Sequence, residues 1–360
     1  MMIKIIKMTI IVVIFLGFGL KVSADGYSDE QLSSFDKILP DGLSGITEDT
    51  DKLIDRVGIE ALISEIKGII ERDGSQVVVF FLSCVGLGTL MALASAVSSK
   101  LARVAGVCVG ATVSLGIFVG LCDVFSSVEE NLAKLCEFFG SAIPIFTAVS
   151  VSSGAVGTAS VQAVGMNFTL SLINGGATSL MLFAVELGLA FAMLSFFGDE
   201  RISVLSSSAS SFFKWISGIS AAAVIATLSL QSVVSSAADN AAMRAAKYAA
   251  SGMIPVVGGA VSGALSTLTS GLSYVKSVIG AGAVVSVVSI VLSPLVIMLL
   301  YRTALSLSSS ICALFSPDAT LKILNAYRGA LDSLIAVYSL SSCVIIFEII
   351  LFMKSGVGVF

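Results

Sequence analysis

Long apolar runs dominate the chain from position 74 onward, and they predict membrane-spanning helices. A bilayer core of about 30 Å needs about 20 consecutive apolar residues in a helix. Between residues 138 and 185 an uncharged stretch is long enough for more than one crossing, and Pro144 and many glycines interrupt it. The clear runs of span length are Gln76–Val97, Val104–Cys122, Thr178–Phe197, Trp215–Ala238, Ser277–Leu300 and Ser333–Met353. The pattern predicts an all-α polytopic membrane protein with about six to eight transmembrane helices, including broken or re-entrant segments.

The first 24 residues have the pattern of a secretory signal peptide. Lys4 and Lys7 form its charged start, the run from Ile10 to Leu20 is its apolar core, and Val22-Ser23-Ala24 is a small-residue cleavage site. An uncleaved first transmembrane helix is the alternative, although the run is short for one. Both readings place the segment that follows outside the cytoplasm.

Residues 25–73 form an acidic segment with 13 acidic and 5 basic residues, in contrast to the nearly neutral remainder from 74 to 360. This asymmetry predicts a separate extracytoplasmic unit preceding the polytopic membrane domain. Thr50 can cap a helix from Asp51 towards Arg72 that carries one apolar stripe. The stripe is predicted either to dock partner proteins or to cover the helix ends of the chain's own membrane domain. Its residues are Leu53, Ile54, Val57, Ile63, Ile66, Ile69 and Ile70.

Basic residues favour one threading of the membrane domain. A plain seven-span count places Arg201 and Arg328 outside, against the tendency of basic residues to stay in the cytoplasm. If the chain around 141–175 crosses an even number of times, or dips in and returns, most of the cations lie inside. The topology with an even number of crossings, or a re-entrant segment, around 141–175 therefore agrees better with the distribution of basic residues.

A weak internal repeat accompanies this threading, relating residues 76–175 to residues 178–301. Ser141–Phe146 resembles Ser251–Val257, and each Ile-Pro element leads into a run of small apolar residues. Repeats with interrupted helices at matching places build pathways in many transporters and channels. A chance similarity between two segments of biased composition is the alternative. The repeat predicts broken segments at Pro144 and Pro255.

Glycine pairs at spacing four predict close helix packing. Such small-xxx-small pairs let two backbones approach within van der Waals contact. Packing within one chain is the first interpretation, and self-association or contact with another membrane subunit is the second. The residues are Gly106, Gly110, Gly116 and Gly120, with Gly259 and Gly263 as a further pair.

Two acidic residues lie deep in apolar runs, Glu186 and Glu348. A charge at mid-bilayer costs about 2.5–3.5 kcal/mol on insertion scales, so each should face a cavity or a partner. They are candidates for an ion or proton pathway or for partner contacts. For Glu348, a snorkelling or intersubunit polar contact near Lys354 is the simpler reading.

Composition narrows the chemistry further. Apolar residues make up 56% of the 360 residues and charged residues 12%, and histidine is absent. Without histidine there is no Ser-His site and no histidine metal ligand. The sequence has no phosphate-binding or dinucleotide motif, and its net charge of −4 does not indicate nucleic-acid binding. A non-enzymatic protein without cofactor or metal is expected.

The six cysteines lack metal-ligand spacing, and the acidic segment contains none. A disulfide scaffold is therefore not expected. One bridge between Cys122 and Cys136 stays open if both face the same outer side.

The stretch Asp239–Gly263 is the most specific in the chain. Arg244 and Lys247 lie about one turn apart on a helical face, and Ile254 and Pro255 lead into Gly258 and Gly259. These residues predict an interfacial helix that turns at the proline into a broken or re-entrant segment.

At this stretch the chain resembles stage III sporulation protein AE of endospore-forming bacteria. The matching elements are the run from Met243 to Gly259 and the order of signal peptide, acidic segment and polytopic domain. The resemblance implies a multi-pass subunit of the mother-cell membrane around the forespore. It also implies partner subunits in a channel or export complex that supports late forespore gene expression. The family has no established catalytic residues, so none carry over.

A stand-alone secondary transporter that couples ions through Glu186 is the competing hypothesis. A complex subunit should be inert alone and co-purify with other membrane proteins, whereas a transporter should move a solute by itself. The sequence does not identify a transported molecule or the stoichiometry of a complex. It also does not give the number of membrane crossings within 138–175 and 248–275.

Overall fold

The computed structural model describes residues 59–96, 102–152, 156–177, 258–315 and 318–354, together with single positions between 190 and 231. These residues form helices and connecting turns, and they contain no strand. The all-α prediction is therefore confirmed for this part of the chain. The helices are α1 (Ile59–Ala96), α2 (Ala102–Ser152), α3 (Val156–Ser171) with a π-helical continuation Leu172–Ala177, α4 (Gly258–Cys312) and α5 (Asp318–Lys354).

Five of the described stretches are long and apolar enough to cross a membrane. Lipid offers no partner to a backbone N–H or C=O, so a spanning segment must satisfy these groups within its own helix. The total of six to eight spans stays a prediction, because most of 178–257 lies outside the described residues. The stretches are Ile63–Leu93, Ser114–Ser152, Val156–Asn174, Val275–Cys312 and Thr320–Lys354.

Helix α2 is much longer than one membrane crossing requires. Its 51 residues measure about 77 Å at about 1.5 Å per residue, more than twice the hydrocarbon thickness of about 30 Å. The segment between Asp123 and Glu137, which separates two apolar stretches in the sequence, continues the same helix. Its Lys134 ammonium and Glu130 carboxylate pair at 2.8 Å with helical i,i+4 spacing.

The predicted break at Pro144 is wrong. Pro144 lies inside α2, and the helix continues to Ser152. A proline removes one backbone hydrogen bond and crowds the preceding turn, yet a packed membrane helix tolerates it. Here α2 is held on both sides of the proline by buried residues, among them Phe139, Ile143 and Phe146.

Pro294 lies inside α4 in the same way, and the structure shows how its missing hydrogen bond is replaced. The carbonyl of Ile290 would accept from residue 294, which has no N–H. Tyr338 of α5 donates its hydroxyl to that carbonyl oxygen at 3.4 Å. A tyrosine of the neighbouring helix therefore supplies the donor that the proline lacks.

Helix α1 joins the acidic segment to the first apolar run without interruption. It starts at Ile59, inside the predicted amphipathic helix, and continues past residue 74 to Ala96. Gly74 is the one weak helix former at the junction, and a single glycine costs about 1 kcal/mol, which flanking helix formers can offset. Within the stripe, Ile69 is buried while Ile63 and Ile70 are exposed. The segment before residue 59, including the signal peptide, lies outside the described residues.

Helix α5 is the most enclosed of the five. In its most apolar stretch 61% of residues are buried, against 28–39% in the other candidate spans. It packs against α4, α2 and α3. Polar contacts tie it to α2 and α4: the Tyr327 hydroxyl donates to the Ser114 carbonyl of α2 at 2.9 Å, and Asp332 forms an ion pair with Arg302 of α4.

Two of the predicted packing glycines lie where α2 meets α1. A Cβ at Gly116 would lie 3.3 Å from the Leu87 side chain, and one at Gly120 would lie 2.7 Å from the Phe80 ring. Phe80 also packs against Tyr301 of α4, with ring centroids 5.0 Å apart. The absence of a side chain at Gly120 therefore lets three helices meet. Gly106 and Gly110 lie in the same helix.

Cys122 and Cys136 are both unbridged. They lie in α2 fourteen positions apart, which corresponds to about 21 Å along the helix axis. A disulfide requires Cα atoms within about 7 Å. The bridge that the sequence left open is therefore excluded by the geometry of one continuous helix.

The first prediction concerns Gly120. Gly120→Ala should lower the free energy of unfolding by about 1–3 kcal/mol, because the new methyl group overlaps a ring that is held from its other side. Thermal unfolding of the purified protein in detergent measures the change. The matched control is Gly86→Ala in α1, where a Cβ meets no atom within 4 Å. That variant should be neutral or more stable by up to about 1 kcal/mol, and equal losses in both variants would contradict the packing role.

The second prediction concerns Tyr338 and Pro294. Tyr338→Phe should cost about 0.5–1 kcal/mol, because the Ile290 carbonyl loses its donor. In a Pro294→Ala background residue 294 regains an N–H, and the same change should cost less. A double-mutant cycle by thermal unfolding measures the difference. An equal cost in both backgrounds would show that the hydroxyl does not compensate for the proline.

Candidate functional site

Among the acidic residues that the structure describes, one in α5 has a completely buried side chain. Glu348 of α5 has a relative exposure of 0%, whereas its neighbour Phe347 is 47% exposed. Lys354, the partner suggested by the sequence, is exposed at the end of the helix. Glu348 therefore faces into the protein and does not extend to the membrane surface.

Two neutral donors bind the same oxygen of this carboxyl group. The Thr169 hydroxyl of α3 donates to Glu348 Oε1 at 2.7 Å, and the Gln231 Nε2 amide donates to it at 3.1 Å. Thr169 is 0% exposed and Gln231 4% exposed. We call these three residues the Glu348 cluster.

The absence of a side chain at Gly165 of α3 leaves room for the amide group of Gln231. A Cβ at Gly165 would lie 1.7 Å from Gln231 Nε2 and 2.3 Å from its Cδ. Any larger residue would occupy the space of the amide itself. Gly165 and Thr169 are four positions apart on one helical face, so α3 supplies both a donor and the space for the second donor.

Several buried oxygens around Glu348 have no hydrogen-bond partner within the described part of the chain. They are Glu348 Oε2, Gln231 Oε1 and Gln162 Oε1, the last in α3 two turns before Thr169. Gln162 uses its amide nitrogen to donate to the Leu351 carbonyl at 3.2 Å. Buried polar atoms are normally paired, because leaving one unpaired costs about 1–3 kcal/mol.

A buried lysine lies close by on the same side of α5. The Lys276 ammonium of α4 lies 4.8 Å from the centre of the Phe352 ring, and Lys276 is 2% exposed. Phe352 follows Glu348 by one helical turn and stacks on Phe146 of α2, with centroids 4.2 Å apart. The aromatic face provides the ammonium with a cation–π contact.

The chemistry available to this site is that of cation or proton binding. The cluster combines one carboxyl, one hydroxyl and one amide, which are oxygen ligands for hard cations. Among the described residues no group of three or more Asp, Glu, Cys or His side chains could hold a metal ion. Of the three residues in the Glu348 cluster, Glu348 is the one whose side chain can carry a negative charge.

Most of the other sequence candidates lie outside the described residues. These are Glu186, Asp239, Arg244, Lys247, Ile254 and Pro255. Gly258 and Gly259 form the first turn of α4, three positions after Pro255. The internal repeat and the threading also depend on residues 178–257 and stay predictions. Of the two acidic residues in apolar runs, Glu348 is thus the one whose position the structure describes.

Sequence reasoning missed Thr169, Gln231, Gln162 and Lys276. A usable signal was present for the last three, because strongly polar side chains inside or beside an apolar run are expensive and need a partner. Gln231 lies in the run Trp215–Ala238, and Lys276 immediately precedes Ser277–Leu300. Thr169 had no such signal, since threonine is common in the spans of this chain.

The described residues form helices, and five of these stretches are long and apolar enough to cross a membrane, which indicates a multi-pass membrane protein. A protein-family model, stage III sporulation protein AE, matches residues 33–356. The chain therefore belongs to the stage III sporulation protein AE family and has a role connected with sporulation. Comparisons with curated proteins and with solved structures found no match.

The third prediction concerns the hydroxyl of the cluster. Thr169→Val keeps the side-chain shape but removes a donor from a buried carboxyl, so it should destabilise the protein by about 1–2 kcal/mol. Thermal unfolding in detergent measures the loss. Ser160→Ala is the control in the same helix, because its exposed hydroxyl bonds only to the Val156 carbonyl one turn earlier. A change within about 0.5 kcal/mol is expected there, and a similar value for Thr169→Val would contradict the role of its hydroxyl.

Proposed function

We propose that this protein is a membrane subunit of the channel or export complex that connects the mother cell to the forespore. In this role it supports late forespore gene expression during endospore formation. The observation that carries the proposal is the family match over residues 33–356. The protein is a non-enzymatic component in the mother-cell membrane around the forespore, with its acidic N-terminal segment on the outer side.

The helical bundle supports a structural role in a larger assembly. Helix α2 is longer than one crossing needs, so part of it extends beyond the hydrocarbon core and offers a surface there. Exposed charges on that helix, Glu129, Glu130, Lys134 and Glu137, mark a polar face that lipid tails do not favour. Other membrane subunits of the complex are the partners that this proposal names.

The exposed side of α1 is apolar and supports placement against lipid or a second membrane protein. Val79, Leu82 and Leu93 are each at least 60% exposed. In a bilayer such side chains meet acyl chains or another transmembrane helix. Homo-oligomers and contacts with different subunits both fit this surface.

The fourth prediction tests the assembly. A tagged full-length chain solubilised from sporulating cells should co-purify with other integral membrane proteins. An unrelated multi-pass protein carrying the same tag is the control. Deletion of the gene should lower a late forespore reporter, and the full chain supplied in trans should restore it.

A reconstitution experiment distinguishes this proposal from a stand-alone transporter. The purified chain in liposomes should produce no solute-dependent proton flux by itself. Such a flux, lost in Glu186→Gln, would instead identify a self-sufficient secondary transporter and contradict the subunit proposal.

A further inference from the structure

The Glu348 cluster has the features of a built binding site rather than of a simple helix contact. Its carboxyl group accepts two hydrogen bonds through Oε1, while Oε2 has no partner within the described residues. The Gln231 amide likewise donates through its nitrogen and leaves its oxygen without a described partner. Both unpaired atoms are oxygens, and a ligand that serves them must be positively charged or a hydrogen donor.

One hydrogen bond relates these two oxygens. Gln231 Nε2 bonds to Glu348 Oε1 at 3.1 Å. The Gln231 Oε1 atom shares its planar amide with that nitrogen, and Glu348 Oε2 shares its carboxyl with the accepting oxygen. Both unpaired oxygens therefore belong to the two groups that this hydrogen bond joins.

We propose that the Glu348 cluster is a binding site for a monovalent metal cation, with Na⁺ as the ion that tests it. Glu348 supplies the charge, Gln231 supplies a neutral carbonyl oxygen, and the Thr169 hydroxyl oxygen is available as a third ligand. Because every ligand is an oxygen, the site suits a hard cation and disfavours soft metals. The inference does not depend on membership of a channel complex.

The single carboxylate decides the charge of the ion. Ca²⁺ is commonly held by several carboxylates, and its affinity rises with their number. In a buried site one carboxylate neutralises a monovalent ion, whereas a divalent ion would leave an uncompensated positive charge. Mg²⁺ also keeps several waters, which a cluster with exposures of 0–4% does not accommodate.

The ammonium of Lys276 lies over the Phe352 ring, one turn of α5 beyond Glu348. The aromatic face provides this ammonium with a cation–π contact, whereas the hydrogen bonds to the Glu348 carboxyl come from Thr169 and Gln231. The added cation then neutralises Glu348, which would otherwise be a desolvated charge with bonds to one oxygen alone.

Gly165 also contributes to the geometry of the Glu348 cluster. A methyl group at this position would lie 1.7 Å from Gln231 Nε2, so the amide could not remain beside Glu348. The glycine thus has a role in the geometry of the ligands as well as in helix packing.

The fifth prediction tests the site with NaCl as the probe. The purified full-length chain in detergent is unfolded thermally in NaCl and in choline chloride at equal chloride concentration. Na⁺ should raise the unfolding midpoint with the logarithm of its concentration, by about 2 °C at ten times its dissociation constant for a chain of 360 residues. Calorimetric titration of the unmodified chain with NaCl should show binding, with a weaker response to MgCl₂ and CaCl₂.

Matched variants test whether the response to Na⁺ depends on the Glu348 cluster. Glu348→Gln keeps the side-chain size but removes the charge, and it should weaken Na⁺ binding at least about tenfold. Glu137→Gln, an exposed glutamate of α2, carries the same chemical change and should respond to Na⁺ as the unmodified chain does. If Glu348→Gln fails to fold, Gln231→Met keeps the carboxylate and should still weaken the Na⁺ response.

Three results would overturn the proposal. The first is an unfolding midpoint that is the same in NaCl and choline chloride; an accompanying dependence on acid would show that the carboxyl holds a proton instead. The second is an equal response to Na⁺ in Glu348→Gln and Glu137→Gln. The third is stronger stabilisation by a divalent ion than by Na⁺.

Discussion

Lipid offers no hydrogen-bond partner to a polar group, and this constraint shapes the structure of the bundle at each level. Backbone groups are satisfied within long helices. Hydroxyl groups of the serine-rich spans bond back to carbonyls of their own helix, as Ser83 does to Val79 and Thr147 to Ile143. At Pro294 the helix lacks one donor, and Tyr338 of α5 supplies it. At Glu348 the partners come from α3 and from the chain near position 231.

The sequence predicted the helical class and several spans because those features depend on local apolar length. Residues 76–96 of the predicted run Gln76–Val97 lie within α1, and Ser333–Met353 lies within α5. The helix ends were harder to predict. From the sequence alone, Pro144 and the charged stretch 123–137 look like interruptions of a helix. In the structure α2 continues through both, because good helix formers and packed residues lie on each side. Proline predicts a missing hydrogen bond, and tertiary contacts decide whether the helix ends there.

The candidate site shows a different limit of sequence reasoning. Glu348 was identifiable because a carboxyl in an apolar run is costly. Its donors come from positions 179 and 117 residues away, and no local pattern connects them. Gly165 illustrates the same point: its importance arises from Gln231, which approaches it from another part of the chain. Burial of a charge is visible in sequence, whereas the set of partners that stabilises it is a property of the fold.

The uninterrupted course of α1 has a mechanical consequence. An α-helix bends little over a few turns, so a pull or twist applied near Glu65, on the exposed acidic end, is transmitted along the rod to Phe80. There the ring lies between the Gly120 backbone and Tyr301, and it cannot shift without moving α2 and α4. A partner that binds the N-terminal end of this helix can therefore shift the packing of α1 against α2 and α4.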